Sequence, residues 1–433
     1  MLVDNNFKHD ARVAREANAL RDEGCEVIVF AVADPDCPPR ETVDGIEIRR
    51  VGTRSLRFWR AVAAVLLWWN TAALRWILPP RDPAEPSKSR WLDRVLPKVF
   101  WYMALNVDLA RAAARLRPQV VHAHDLSTLP AGRILKRLIG ALLVFDSHEL
   151  FLHRNVGQGA RRRNQMFWTL VEKLAIGRRR REDRRAVDAF ITVNDSIAGH
   201  LNDRYPALPR AVIVRNASPA PDGPVNYDGR LHDAAGLPRE SRILLFQGGI
   251  VPCRGLEALV RSGPLLGDDW AVVLMGPGGY RARLQELARE IDPAGRRVRF
   301  IGPAPHAELL RWTAGATLGV IPYENVCLNH WYCTPNKLWE YPAAGVPILA
   351  SPFPEMRKLI EGNGIGRLLG DPVTPQNLAD TVASITDQEL SEMRDACAEF
   401  AKRDNWSIYA ERLRDLYHHL RNDLVDPGTE PGA

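Results

Sequence analysis

Apolar runs that leave a strand no solvent face constrain this chain more than any other feature. The stretch 26–33 (EVIVFAVA) shows no alternation of polar and apolar residues. A strand built from it is covered on both faces, which places it inside a layered sheet. Runs at 119–124, 141–146 and 189–194 repeat the pattern. A second series follows at 242–246, 271–275, 298–301, 317–321 and 347–350. Helical stretches intervene, among them 10–23 with Gly24 as its stop, 256–265, 280–290 and 378–385. This alternation predicts β-α-β units and parallel sheets. Residues 1–4 read as the stub of a strand, which points to a start upstream or to a frayed edge of the first sheet.

A segment rich in Pro, Gly, Asp and Asn at 216–238 separates the two series and reads as a linker. The expected organisation is two doubly wound α/β domains in tandem, 1–215 and 239–404. A helix at 405–422 packs back across, and a disordered tail fills 423–433. At 433 residues there is material for two or three cores. In doubly wound sheets, ligands sit beyond the carboxyl ends of the strands. Two facing domains therefore predict a ligand cleft between them.

Residues 54–103 form an aromatic insertion that breaks the rhythm. The run FWRAVAAVLLWWNTAALRWIL occupies 58–78, and six of the chain's twelve tryptophans lie between Trp59 and Trp101. Asn70 and Arg75 interrupt it, which disfavours a true membrane span. Trp, Leu and Arg together suit a helix lying in the membrane interface, through residues 57–101. A helical pair packed on the first domain, hiding the tryptophans, is the open alternative.

The net charge of +6 and pI near 9.1 favour an anionic partner such as a nucleotide, a phosphate or an acidic membrane face. The arginine runs at 161–163 and 178–181 read as solvated helix faces, so no nucleic-acid partner is expected. The six cysteines form no C-x-x-C pair and lack histidines at zinc spacing. Reduced thiols, no bound metal and a cytoplasmic setting are the expectation. No apolar signal region opens the chain.

Two places offer the chemistry of a phosphate site. Gln247, Gly248 and Gly249 follow the strand at 242–246, and Arg254 with Gly255 opens the next helix. The glycines admit a close ligand, and Arg254 can grip a diphosphate with two parallel hydrogen bonds. Pro335 and Asn336 precede a helix at 337–344, where Lys337 adds charge beside free amides. Glu340 shares the helix face of Lys337, and a carboxylate beside a phosphate site suits the vicinal hydroxyls of a ribose. The plainer reading is a surface ion pair between Lys337 and Glu340.

Nine segments, in order, carry a family resemblance: DNNFKHDARVAREANAL, VVHAHD, FDSHELF, ITVNDSIAGHL, VRNAS, QGGIVPCRGLEAL, MGPG, VRFIGPAPHAELL and PNKLWEYPAAGVPIL. The chain resembles the family 4 glycosyltransferases over nearly its whole length, except 54–103 and the tail. The resemblance implies the GT-B fold, with an acceptor-side N-terminal domain and a nucleotide-sugar-binding C-terminal domain. It implies a retaining transfer from a nucleotide-sugar donor, UDP most often, with no cofactor and no bound metal. The leading expectation for the acceptor is a glycan or lipid-linked hydroxyl, met at the inner face of the membrane. By the same resemblance His148 faces the reacting sugar, Arg254 grips the diphosphate, Glu340 holds the ribose, and backbone groups near 302–305 meet the base. Asp10 and Arg12 match the first loop, which touches acceptor or phosphate.

Two departures bear on the donor. The first acid of the Glu-x7-Glu motif is replaced by Tyr332, and a basic residue six positions before Arg254 is replaced by Gly248. Asn329, Tyr332 or backbone amides near Thr334 are the substitutes expected. Two other functions compete with transfer. A non-catalytic scaffold would bind no nucleoside diphosphate, and a sugar-nucleotide epimerase of the same fold needs paired acids in its cleft, which the sequence does not offer.

Overall fold

A computed structural model describes residues 1–8, 10–53, 55, 89–155, 158–176, 186–221 and 223–425. Most of the stretch 57–101, with its expected membrane contact, lies outside that set. So do the arginine run 178–181 and residues 426–433 of the tail.

The N-terminal half is organised by residues 1–3. Leu2 bridges in parallel to Phe30 of β1 (Ile28–Val32) and to Ala123 of β4 (Val120–His124). These bridges join two sheets into one. On one side lie β1, β3 (Ile46–Val51) and the antiparallel edge strand β2 (Arg40–Val43). On the other, β4 pairs with β5 (Leu142–Ser147), then β6 (Ala189–Thr192), then β7 (Ala211–Ile213), all parallel. The opening residues therefore lie in the middle of the sheet, not at a frayed edge. Leu2 is buried, and its N–H and C=O bond to His122 and His124.

The first helix, Ala11–Asp22, starts where the Asp10 carboxylate accepts from the Val13 N–H, a side-chain N-cap. It ends before Gly24, whose φ of +83° is the left-handed stop. The hairpin between β2 and β3 turns on Asp44 and Gly45, at φ of 50° and 75°. That Asp-Gly pair is the signature of a two-residue hairpin turn.

The C-terminal half is a six-stranded parallel sheet, with strands in the order β10 (Val298–Ile301), β9 (Trp270–Met275), β8 (Arg242–Gln247), β11 (Leu318–Ile321), β12 (Ile348–Ala350) and β13 (Gly366–Leu368). β8, β9, β11 and β12 are buried almost throughout, as their unbroken apolar runs require. The strand order reverses between β8 and β11, so the crevice beyond their carboxyl ends is where this architecture takes a ligand. The segment 216–238 holds a short helix, Arg230–Ala235.

The last helix, Trp406–Val425, leaves the C-terminal half and lies against the first helix. Arg414 Nε donates to the Ala19 carbonyl at 3.3 Å, and Tyr417 Oη meets His122 Nδ1 at 2.9 Å. The helix thus runs three residues past its expected end at 422.

One aromatic residue fixes the register of the crevice. Tyr341 is fully buried, donates to the Leu245 carbonyl at 2.8 Å and accepts from the Gln247 N–H at 3.2 Å. Its ring lies on Gly319 of β11, where an added Cβ would come within 2.5 Å of ring carbons. Gly319→Ala is therefore expected to destabilise the fold by about 1–3 kcal/mol through overpacking. Urea unfolding monitored by circular dichroism checks this, and an unchanged midpoint would refute the packing account.

Candidate functional site

A cleft of about 810 Å³ lies between the two halves, within the size range of small-molecule sites. His148, Gly248, Arg254, Pro335, Asn336, Lys337 and Glu340 all line it. Gly249 sits beside it, with no atom within 4 Å of where its Cβ would be.

On the C-terminal side, β8 ends at Gln247 and the chain turns through Gly248 at φ +108°. A Cβ at Gly248 would stand 3.1 Å from Lys337 Nζ, so the missing side chain lets the ammonium approach the turn. Lys337 is buried, and its Nζ donates to the Tyr323 hydroxyl at 3.1 Å. It lies 5.2 Å from the Phe246 ring centroid. Arg254 stacks over the other partner of this group, the Tyr323 ring, at 4.1 Å. No carboxylate pairs with Lys337 among the described residues, so the plainer reading of a Lys337–Glu340 ion pair does not hold. Glu340 instead accepts from Gln247 Nε2 at 2.8 Å. The Glu340 carboxylate only accepts, which turns the Gln247 NH₂ toward it and leaves Gln247 Oε1 2.8 Å from the Thr313 hydroxyl, whose proton the Leu309 carbonyl also faces at 2.8 Å.

The expected cradle of free amides at Pro335 and Asn336 is narrower than the sequence suggests. The helix Lys337–Ala343 has only seven residues. The N–H groups of Leu338 and Trp339 already bond to the Pro335 and Asn336 carbonyls at 3.0 and 2.9 Å. Cations, more than amides, are what this helix start offers an anion.

On the N-terminal side, the strand ends converge on Asp146, which is fully buried. Arg12 Nη2 donates to both its oxygens at 3.2 Å, and His148 Nε2 lies 2.9 Å from Oδ2. His122 and His124 stack with ring centroids 4.3 Å apart and stand 3.5 and 3.4 Å from the same oxygen. Burial works against ionising Asp146, but Arg12 and His148 outweigh it and hold the carboxyl well below its usual range. His148 is the mirror case. Burial disfavours its charge, the carboxylates of Asp146 and Asp125 prevail, and its pKa rises to about 9. His122 and His124 are pushed down by burial and stay neutral. Glu16 lies 3.0 Å from Arg12 Nε, off the hydrogen-bond direction, and burial pushes its carboxyl well above the usual range.

Glu16, His122, His124 and Asp146 place four ligand atoms within 4.8 Å of one another, a spacing that suits a cation. Arg12 already reaches both carboxyl groups. Its guanidinium supplies the positive charge that a metal would bring.

Three expected site residues do other work. Asp10 caps the first helix and accepts from Asn5 Nδ2 at 2.8 Å. Arg12 is buried in the Asp146 cluster, and its Nη1 donates to the Val214 carbonyl and Asn216 Oδ1, both at 2.9 Å. Tyr332 does not line the cleft. Its ring packs on the N-terminal core and its carbonyl accepts from Asn194 Nδ2 at 2.7 Å. Residues 302–305 are also absent from the lining. The residues that sequence reasoning missed are Asp146, Glu16, Thr313 and Tyr323, together with the role of Gln247 as the anchor of Glu340. Thr313 and Tyr323 act through partners distant in the chain, and the roles of Asp146 and Glu16 depend on their burial, which only the fold shows.

Residues 10–217 match the family described as "Glycosyl transferase 4-like domain", and residues 241–388 match "Glycosyl transferases group 1". A protein named D-inositol 3-phosphate glycosyltransferase from Thermobispora bispora is 26% identical over 323 residues, 70% of each chain. D-inositol 3-phosphate glycosyltransferase 1 of Catenulispora acidiphila is 25% identical over 94% of this chain and 89% of its own. A third of that name, from Nocardioides sp., aligns over 55% of its length at 28% identity. Sucrose-phosphate synthase of Thermosynechococcus elongatus superposes with a TM-score of 0.71 at 17% identity, covering 95% of this chain and 92% of that one. Anabaena Alr3699/HepE, solved in complex with UDP, superposes with a TM-score of 0.64 at 13% identity, covering 96% and 98%. The chain belongs to the family 4 glycosyltransferases and is a glycosyltransferase of the GT-B fold.

Proposed function

We propose that the cleft binds a sugar nucleotide, UDP-linked by preference, and transfers its sugar with retention to an acceptor hydroxyl. The observation that carries this reading is the ammonium of Lys337, buried beside Gly248 and Arg254 without a carboxylate partner among the described residues. A buried, uncompensated cation is costly, and an anion entering the cleft relieves that cost. The diphosphate would lie against Lys337 and Arg254. The ribose would meet Glu340, whose Oε2 is anchored by Gln247 and whose Oε1 remains for hydroxyls. The sugar would then point toward His148.

Bond breaking at the anomeric carbon places negative charge on the diphosphate and positive charge on the sugar ring. Lys337 and Arg254 stabilise the first, in a cleft that limits water. The acceptor hydroxyl attacks from the face the diphosphate leaves, and its proton passes to the departing phosphate oxygen. The imidazolium of His148, held by Asp146, donates a hydrogen bond to the sugar at the cleft's other wall.

The acceptor is read as a lipid-linked glycan or growing polysaccharide, met at the cytosolic face of a membrane through the aromatic insertion. No helix among the described residues is long and apolar enough to cross a membrane. A second acceptor reading, a phosphate-bearing cyclitol, is favoured by the names of the relatives.

Arg254→Ala and Lys337→Ala are expected to lower kcat about 10²–10³-fold each, as loss of a charge-stabilising donor does. Glu340→Gln is expected to weaken UDP binding about 10-fold or more in calorimetry, the scale of a hydrogen bond to a charged group. Unchanged turnover in both cation variants would refute the leaving-group account, and failure to bind any nucleoside diphosphate would favour the scaffold.

The pH dependence follows from His148. Its pKa is raised above the ordinary 6.5, so the stabilisation from its charge is complete below 6.5 and lost as pH rises through about 9. Activity is expected to fall on the alkaline side near pH 9. Asp146→Asn removes the main support of that charge and should move the alkaline limb toward lower pH. It also strands Arg12, at a cost of about 3–5 kcal/mol in stability. A kcat/KM profile against pH for the two proteins checks the shift, and coincident alkaline limbs would contradict it.

A further inference from the structure

The Glu-x7-Glu position that would carry an acid holds Tyr332, and Tyr332 is turned away into the N-terminal core. A donor sugar still needs acceptors for its hydroxyls. Only two carboxylates line the described cleft, Glu340 and Glu149. Glu340 is anchored to Gln247 on the nucleotide side. Glu149 stands on the opposite wall, next in the chain to His148.

We propose that Glu149 reads the hydroxyls of the donor sugar, supplying from the N-terminal domain the acid that the C-terminal domain lacks. This rests on the donor reading above. Two bonds hold the carboxylate in place. Arg154 Nη1 donates to Oε1 at 3.0 Å, and Asn329 Nδ2 donates to Oε2 at 3.1 Å. Asn329 is fixed in turn, because its Oδ1 accepts from the Leu150 N–H at 2.8 Å. That bond assigns which end of the amide faces Glu149. Each carboxylate oxygen has one partner and a second lone pair to offer, and the side chain is 31% exposed to the cleft.

The same segment explains both halves of the exchange. Asn329 lies in the short helix Leu328–Trp331, three residues before Tyr332. Leu328 and Tyr332 pack on the N-terminal core, and Asn194 clamps the Tyr332 carbonyl. Docking in this way removes position 332 from the cleft and brings an amide that positions Glu149. Nucleotide and sugar are then read by different domains, so the sugar is gripped only when the halves are closed on one another.

The test uses Glu149→Gln and Glu149→Ala in the full chain. Each is assayed by nucleotide release with a panel of UDP-, GDP- and ADP-sugars, and by calorimetry with the free nucleoside diphosphates. The expected result is a fall in donor kcat/KM of about 10–100-fold, the scale of hydrogen bonds to a charged group, with UDP affinity unchanged. Discrimination between the working donor and its deoxy-sugar analogues should shrink by a similar factor. Retained donor kcat/KM and discrimination in both variants would overturn the inference while leaving the donor reading intact. So would a change confined to the acceptor KM. Absence of nucleotide binding and turnover in the parent protein would instead overturn the donor reading, and the inference with it.

Discussion

The site depends on one buried guanidinium. Arg12 reaches from the first helix to Asp146 at the end of β5, and to Val214 and Asn216 where the chain leaves the N-terminal half. It is therefore bonded to the strand that leads into His148 and to the start of the crossover between halves. Buried pairs of this kind do not guarantee stability relative to an apolar core, but losing one partner is expensive. The pair is better understood as a device that fixes geometry and charge. It keeps Asp146 ionised, and Asp146 keeps the imidazole of His148 charged and oriented toward the cleft.

The two halves complement each other electrostatically. The C-terminal wall offers two cations that converge on Tyr323 and a carboxylate anchored through Gln247 and Thr313. The N-terminal wall offers a charged histidine and a carboxylate. Neither wall is complete for a ligand with a diphosphate at one end and a ring of hydroxyls at the other. Bonds across the gap hold the closed arrangement: Asn194 to Tyr332 and Thr334, Ser196 to Glu355 at 2.6 Å, and Lys358 to Asp195 at 2.7 Å. Most are side-chain contacts at helix starts, which domain opening can break without disturbing either core. The returning helix Trp406–Val425 ties the outer faces together, with Tyr417 touching His122 at the back of the Asp146 cluster.

Much of the fold was legible because both-face burial leaves an apolar run that is hard to misread. All five strand runs of the second series correspond to β8 to β12, within one or two residues at the ends. Of the strands that escaped notice, β2, β7 and β13 are short and sit at edges, whereas β3 (Ile46–Val51) is a six-residue interior strand that alternates between buried and half-buried positions. β2 (Arg40–Val43) is almost wholly exposed and polar, and β13 (Gly366–Leu368) is three residues long. Even so, the Asp44-Gly45 turn signal for the first hairpin stood in the sequence unread. The site was legible in part. Arg254, Lys337 and Glu340 share a cleft because their motifs sit at strand and helix ends that any such sheet brings together. Tyr332 and Arg12 were misplaced because motif position says which segment a residue occupies, not which way its side chain turns. The apolar face at 328–332 turns Tyr332 inward, and the buried Asp146 draws Arg12 away from solvent.

A crystal structure of the protein with UDP decides whether the gap between the two α/β halves grips an activated sugar through Lys337, Arg254 and Glu340. The diphosphate is expected between Lys337 and Arg254 beside Gly248, with both ribose hydroxyls on Glu340. Density for UDP at another surface, or a ribose distant from Glu340, would contradict it.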